Sequence, residues 1–293
     1  MNPRKRTPVH SVLVGTALFF LFLGSGPAQF LPTETAGNAA WEEFLKSAKI
    51  TGSEQLGGPD ATTRPQKLAL EKAGQARFGL WKNIDSTEGG VVDTWRFEIA
   101  AYRLDKLLDL GMIPPTVERR VAGEKGSLQL WIDNTASLKR RTGGGTGVPA
   151  DKMPAWNRMA FLQRAFDCLI ANEDRNANNI LVTEDWRMLL IDHSRSFRTK
   201  KPYTERLVFG AGGLLRAPEG NPYPLAPLPK AFFEKLKALE TGAVREAVRP
   251  YLTKPEIDAG LARRDLIVRE VEDLIRRDGE DKVLYDPPKE ERT

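Results

Sequence analysis

The sequence predicts an α+β chain of two lobes: a small β-rich N-lobe with one key helix, and a larger helical C-lobe. Three observations carry that expectation. Between residues 50 and 85, short apolar–polar alternations are punctuated by glycine, the pattern of an antiparallel sheet. Two longer stretches, 91–110 and 154–171, place apolar residues at helical spacing. Near residue 140 the composition shifts, and helical patterns dominate beyond it. With 293 residues, 41% of them hydrophobic, the chain can form two lobes sharing a cleft.

The N-terminus carries Arg4, Lys5 and Arg6, then the thirteen-residue apolar run Val12–Gly24, then Gly26-Pro27-Ala28. Such a run is short for a bilayer span but suits the apolar part of an export signal. Residues 1–28 are therefore expected to be a signal peptide, cut after Ala28, or a membrane anchor through 12–24. Basic residues ahead of the run favour a cytoplasmic N-terminus and an exported, periplasmic or secreted, domain. Residues 29–40 are small and polar, a linker.

The N-lobe is expected over 41–138. Trp41 to Lys49 reads as a short helix. A strand from Ile50 is broken by Gly57-Gly58-Pro59, and further strands cover Lys67–Glu71 and Ala76–Lys82. In the helix predicted over 91–110, Phe97, Ala100, Leu104, Leu107 and Leu108 share one face, and Gly111 stops it. Pro114-Pro115 forces extended chain before a strand at 127–132. Gly143-Gly144-Gly145 lacks the strand-to-helix placement of a phosphate loop and reads as a connection. The C-lobe is expected over 139–285, with helices at 154–171, 230–251 and 255–277, followed by a tail at 286–293.

Composition excludes several functions. The net charge of +5 falls to +2 once residues 1–28 are set aside, leaving 41 basic against 39 acidic residues. The one dense basic cluster left is Lys139-Arg140-Arg141, so no nucleic-acid partner is expected. Cys168 is the single cysteine, which rules out an intramolecular disulfide and a cysteine zinc cage. It falls within the apolar pattern of its helix and reads as core. Of two histidines, His10 lies in the export segment, so a Ser-His-Asp triad would rest on His193 alone.

The chemistry concentrates between Asn172 and His193. A hydrophobic helix is followed by the polar loop Asn172-Glu173-Asp174-Arg175-Asn176-Ala177-Asn178-Asn179. Then come the apolar runs 180–182 and 188–191 about a Glu184-Asp185 turn, ending on Asp192. A hairpin of that length brings Asp192 back beside Asn179 and Asp174. Two carboxylates and an amide form a hard oxygen set suited to Mg²⁺ or Mn²⁺. Such a site with a spare carboxylate is what phosphoryl transfer requires.

Asp174 and Asn179 are five apart, as in the Asp-x-x-x-x-Asn catalytic loop of kinases, and Ile191-Asp192 follows the hairpin where kinases place a metal-binding aspartate. The Asp174-Arg175-Asn176 opening and the Ile191-Asp192-His193 ending resemble phosphatidylinositol 3- and 4-kinases and the secretory-pathway kinases, the Golgi casein kinase and xylosylkinase group. Leu80-Trp81-Lys82 resembles the strand bearing the ATP lysine. Glu98-Ile99-Ala100-Ala101-Tyr102, ahead of Gly111 to Thr116, resembles the glutamate helix of the secretory group.

This resemblance covers roughly 50–200 and implies a bilobal protein-kinase-like fold. It implies that Lys82 contacts nucleotide phosphates while paired with Glu98, and that Asp174 orients the attacking hydroxyl and takes its proton. Asn179 and Asp192 would hold the metal, and Gly57 and Gly58 would cover the phosphates. The partners so implied are ATP and a protein, sugar or lipid acceptor. The chain departs from ordinary protein kinases in having Asn172-Glu173 before the aspartate, His193-Ser194 after the metal residue, and no Ala-Pro-Glu downstream. A nucleotide- or partner-binding pseudokinase and a metal-dependent phosphohydrolase remain the alternatives.

Overall fold

A computed structural model describes residues 30–57, 65–145 and 147–287. The export or anchor segment expected at 1–28, Gly58 and residues 288–293 of the tail lie outside the described residues. Among the described residues, no helix is long and apolar enough to cross a membrane.

Two helices open the described chain, α1 (Pro32–Thr35) and α2 (Asn38–Ser47). Strands β1 (Lys49–Gln55), β2 (Gln66–Lys72) and β3 (Gln75–Lys82) then form an antiparallel meander. A second hairpin, β4 (Asp85–Glu88) with β5 (Val91–Thr94), turns through Gly89 and Gly90, both at positive φ. Glycine alone meets that demand without steric cost. Thr94 then caps helix α3 (Trp95–Leu108), its hydroxyl accepting from Arg96 N at 3.4 Å. The helix predicted from residue 91 thus begins four residues later, because Val91 to Thr94 are spent on a strand.

Strands β6 (Thr116–Val121) and β7 (Glu124–Leu130) complete a five-stranded antiparallel sheet in the order β1-β2-β3-β7-β6. On β3, Trp81 points into the core of this lobe beside Phe44, Leu68 and Leu128. Strand alternation therefore turns Leu80 and Lys82 to the opposite face. Gly126 of β7 is the residue facing that step. A Cβ there would lie 2.7 Å from Trp81 Nε1 and collide with the Lys82 carbonyl.

The rest is mostly helical. Strand β8 (Thr135–Ser137) and helix α4 (Leu138–Arg141) lead to α5 (Met153–Ile170). Strands β9 (Ile180–Thr183) and β10 (Met188–Leu190) form a small sheet with β8 in the order β10-β9-β8. Helix α6 (Pro202–Glu205) follows, then β11 (Leu228–Pro229), α7 (Lys230–Lys237), α8 (Thr241–Val248), α9 (Lys254–Asp278), α10 (Glu280–Val283) and β12 (Leu284–Tyr285), which pairs parallel to β11. The helix expected over 230–251 is two helices, α7 and α8, parted at Ala238–Glu240. The result is a mixed α+β molecule, with a sheet at its N-terminal end and helices toward its C-terminal end.

Two cores form. The smaller lies between the five-stranded sheet and α2. The larger belongs to the helical half, and α3 is part of it. Phe97 packs on Phe197 at 5.2 Å between ring centroids, and Trp95 on Tyr251 at 6.2 Å.

Candidate active site

Lys82 at the end of β3 and Glu98 on the first turns of α3 meet across the cleft. Lys82 Nζ lies 2.6 Å from Glu98 Oε1 and 2.7 Å from Asp192 Oδ1. The lysine and glutamate side chains are 12% and 3% exposed, while that of Asp192 keeps 42%. Burial alone would push the ammonium down. The charges of Glu98 and Asp192 outweigh it and hold Lys82 above the ordinary lysine range. Burial would likewise raise Glu98, but Lys82 and then His193 hold it well below the carboxylate range. Lys82 and Glu98 are therefore both ionised at neutral pH.

His193 fills the space behind this pair. Its backbone N–H donates to Glu98 Oε2 at 3.0 Å, while its ring Nδ1 sits 3.5 Å from the same oxygen, without hydrogen-bond alignment. Burial lowers the imidazole below its usual value, so it is neutral at pH 7. The next residues continue the seam: Ser194 O accepts from Thr94 N at 2.9 Å, and Arg195 Nε donates to the buried Asp93 at 2.9 Å. Asp192 itself has φ of 62°, a conformation that costs an L-residue energy and collects at functional sites.

The loop that follows α5 is held from within. Arg175 makes a bidentate contact to Asp167, both bonds 3.0 Å, with side chains 2% and 0% exposed. Its Nη1 also donates to Asn179 O at 2.8 Å and Ile191 O at 2.7 Å. One guanidinium thus ties α5, the loop and the residue before Asp192 together, and Ile191 N returns to Asn179 O at 3.2 Å. Asn179 Nδ2 donates to Asp174 O at 3.0 Å, which turns the amide oxygen the other way. Asp174 keeps an exposed carboxylate.

The structure therefore joins Lys82, Glu98 and Asp192 by direct contact, and Asp174, Asn179 and Ile191 through one loop and one guanidinium. Gly57 lies two residues beyond the end of β1, with φ of 92°. Among the described residues, no group of three His, Cys, Asp or Glu side chains could hold a metal ion. A cation here would take the Asp192 carboxylate and the Asn179 amide oxygen, with its remaining ligands from phosphate and water. Mg²⁺ and Mn²⁺ accept such a shell.

Sequence reading missed Arg175–Asp167, Arg195–Asp93 and an apolar cavity of about 240 Å³ beside the site. Leu80 and Leu130 line it from the five-stranded sheet, Leu181 from the small sheet, Ile191 from just past β10, and Trp131 and Ile132 from the connection between the sheets. Leu80 is two residues from Lys82 on one strand face, and Ile191 adjoins Asp192. A flat ring held in the cavity would direct its substituents toward the charged cluster.

A sheet lobe over a helical lobe, with a Lys–Glu pair facing an aspartate after a short hairpin, is a protein-kinase-like fold. Among solved structures the chain is similar to hydra Fam20 with sugar, at 17% identity and a TM-score of 0.57, covering 84% of this chain and 91% of that one. It is similar to the Golgi casein kinase at 14% identity and 0.57, covering 86% and 80%. The same holds for the Golgi casein kinase with Mn and ADP bound, at 15% and 0.57, covering 87% and 81%. What is shared at these identities is the fold. No family model and no curated protein sequence matches the chain.

Proposed function

We propose that the protein is an ATP-dependent phosphotransferase that moves the γ-phosphoryl group to a hydroxyl of a protein, sugar or lipid. The observation that carries this reading is Lys82 Nζ bridging Glu98 and Asp192 at 2.6 and 2.7 Å, next to an apolar cavity. The cavity takes the base, and Lys82 meets the phosphates. Asp174 orients the acceptor hydroxyl and accepts its proton as the new P–O bond forms and the bond to the leaving ADP breaks. Asn179 and Asp192 would hold Mg²⁺ or Mn²⁺, which when bound neutralises phosphate charge. Export of the catalytic domain, as residues 1–28 suggest, would require ATP outside the cytoplasm. The ligands in the similar structures, Mn with ADP and sugar, recommend the first ones to try.

The test pairs thermal shift with turnover. ATP and Mn²⁺ at a hundred times Kd should stabilise the fold by about 2.7 kcal/mol, and labelled phosphate should appear on an acceptor. Asp192→Asn keeps a residue tolerant of positive φ and should abolish transfer with the fold unchanged. Transfer at the wild-type rate in that variant would refute the reading. Stabilisation without any turnover in the wild type would favour a pseudokinase. Phosphate release that survives Lys82→Met would favour a hydrolase.

A further inference from the structure

Where the His-Arg-Asp loop of ordinary kinases has arginine before its aspartate, this chain has Glu173. Arginine clusters of that kind receive a phosphorylated residue from the activation segment, which orders the segment. A carboxylate calls for a partner of the opposite sign, and the structure supplies one. Arg198 Nη1 lies 3.1 Å from Glu173 Oε1, and Tyr203 Oη donates to Glu173 Oε2 at 2.7 Å. Arg198 Nη1 also reaches Tyr203 Oη at 3.3 Å, and its guanidinium sits 5.1 Å from the tyrosine ring centre. Both partners come from the segment that follows Asp192, and both meet on the residue next to Asp174.

The base under these side chains is rigid. Arg263 of α9 is fully buried. Its Nη1 donates to the carbonyls of Arg198 and Tyr203 at 2.8 and 3.2 Å, and its Nε to Leu169 O at 2.8 Å, at the end of α5. The helix that leads into the catalytic loop and the segment that grips that loop therefore share one anchor in the C-terminal third. An exposed pair of long side chains would hold nothing firmly. Here the Arg198 and Glu173 side chains are 17% and 29% exposed, and a third group shares the carboxylate.

We propose that Glu173, Arg198 and Tyr203 form a latch that positions Asp174 without covalent modification, with Arg263 as its buried anchor. The latch rests on the phosphotransferase reading for its purpose, but not for its existence. Its polarity is the reverse of a phosphate-dependent switch. A phosphate on Tyr203 would bring negative charge against Glu173 and release the loop.

The experiment compares the full chain with Arg198→Glu, Glu173→Arg, the double exchange and the conservative Tyr203→Phe. Hydrogen exchange at the amides of 173–179 reports the latch whether or not the protein transfers phosphate. Each charge reversal should speed that exchange. It should also lower kcat by about 10- to 100-fold, as misplacement of a reacting group does, with KM for ATP little changed. The double exchange should restore both quantities. Tyr203→Phe should give a smaller change in the same direction. Unchanged exchange at 173–179 in Arg198→Glu, or no recovery in the double exchange, would overturn the latch. If the wild type transfers no phosphate, the proposed function falls and the exchange data alone decide.

Discussion

Replacing Lys82 by Met removes the single cation between two carboxylates, and the consequence for stability can be worked out. Asp192 is 42% exposed and keeps its water. Glu98 is 3% exposed and is left buried without its counter-ion. Breaking a buried pair in this way costs about 3–5 kcal/mol. The carboxyl has one escape, which is to take a proton. From an ordinary pKa of about 4.3, protonation at pH 7 costs about 3.7 kcal/mol, and at pH 5 about 1 kcal/mol. Those figures cap the penalty at each pH.

The two proteins therefore differ in slope. In the wild type, Glu98 is held below its unfolded value, so its contribution is fully present above about pH 4.3 and is lost only on stronger acidification. Lys82, held above its unfolded value, contributes until pH rises past about 10.4. The pair thus adds no slope between pH 5 and 9. In Lys82→Met the glutamate is raised instead, so stability falls as pH climbs from 5 to 7. A domain of this size loses about 2–4 °C of Tm per kcal/mol, giving a deficit of roughly 7–15 °C at pH 7 and a few degrees at pH 5. Lys82→Met/Glu98→Gln should recover most of the loss and flatten the slope, since Gln still accepts from His193 N–H. Neither variant should transfer phosphate. Thermal melts at the two pH values decide the matter: equal Tm for wild type and Lys82→Met at pH 7 would refute the buried-pair reasoning.

Three further outcomes follow from the geometry. Arg175→Met strands the fully buried Asp167 and should cost about 3–5 kcal/mol, read as a fall in the urea midpoint. Burial pushes Asp105 up to about 7, against the backbone N–H groups of Met112, Ile113 and Gly111 that oppose the rise. Its folded value lies above its unfolded one, so its contribution is complete below about pH 4 and drains away as pH rises through 7. The Tm of Asp105→Asn should show less of that decline between pH 5 and 8. Gly126→Ala drives a methyl group against the Lys82 backbone and the Trp81 ring; it should cost about 1–3 kcal/mol and reduce phosphate transfer.

The residues that meet at the cleft were more legible than the scaffold around them. Asp174, Asn179 and Asp192 sit at fixed offsets about a hairpin built from two unbroken apolar runs, so the return of Asp192 toward the loop follows from chain geometry. Lys82 and Glu98 were reached through the resemblance of their strand and helix to those of the secretory-pathway kinases, and the structure pairs them. What could not be read lacks periodicity. Strand β6 carries Glu118, Arg119 and Arg120, and its charges disguise it. Arg119 spends its guanidinium on the carbonyls of Leu45 and Ala48 at the end of α2, each at 2.6 Å. Asp167 looks like any residue of an amphipathic helix until Arg175 folds back onto it. The β4–β5 hairpin was signalled by Gly89-Gly90, but Val91 and Val92 extended the apolar pattern of the helix and hid the break. The C-terminal third had no readable role, since the reach of Arg263 to Arg198 and Tyr203 spans some sixty residues of sequence.

Helix α3 shares its core with the helical half, while Lys82 rides on the sheet packed over α2. Glu98 and Asp192 consequently stand on the larger core and their lysine on the smaller. Any rocking of the sheet away from the helices draws the ammonium off both carboxylates together. The three charges therefore fasten the two cores together at the mouth of the cleft.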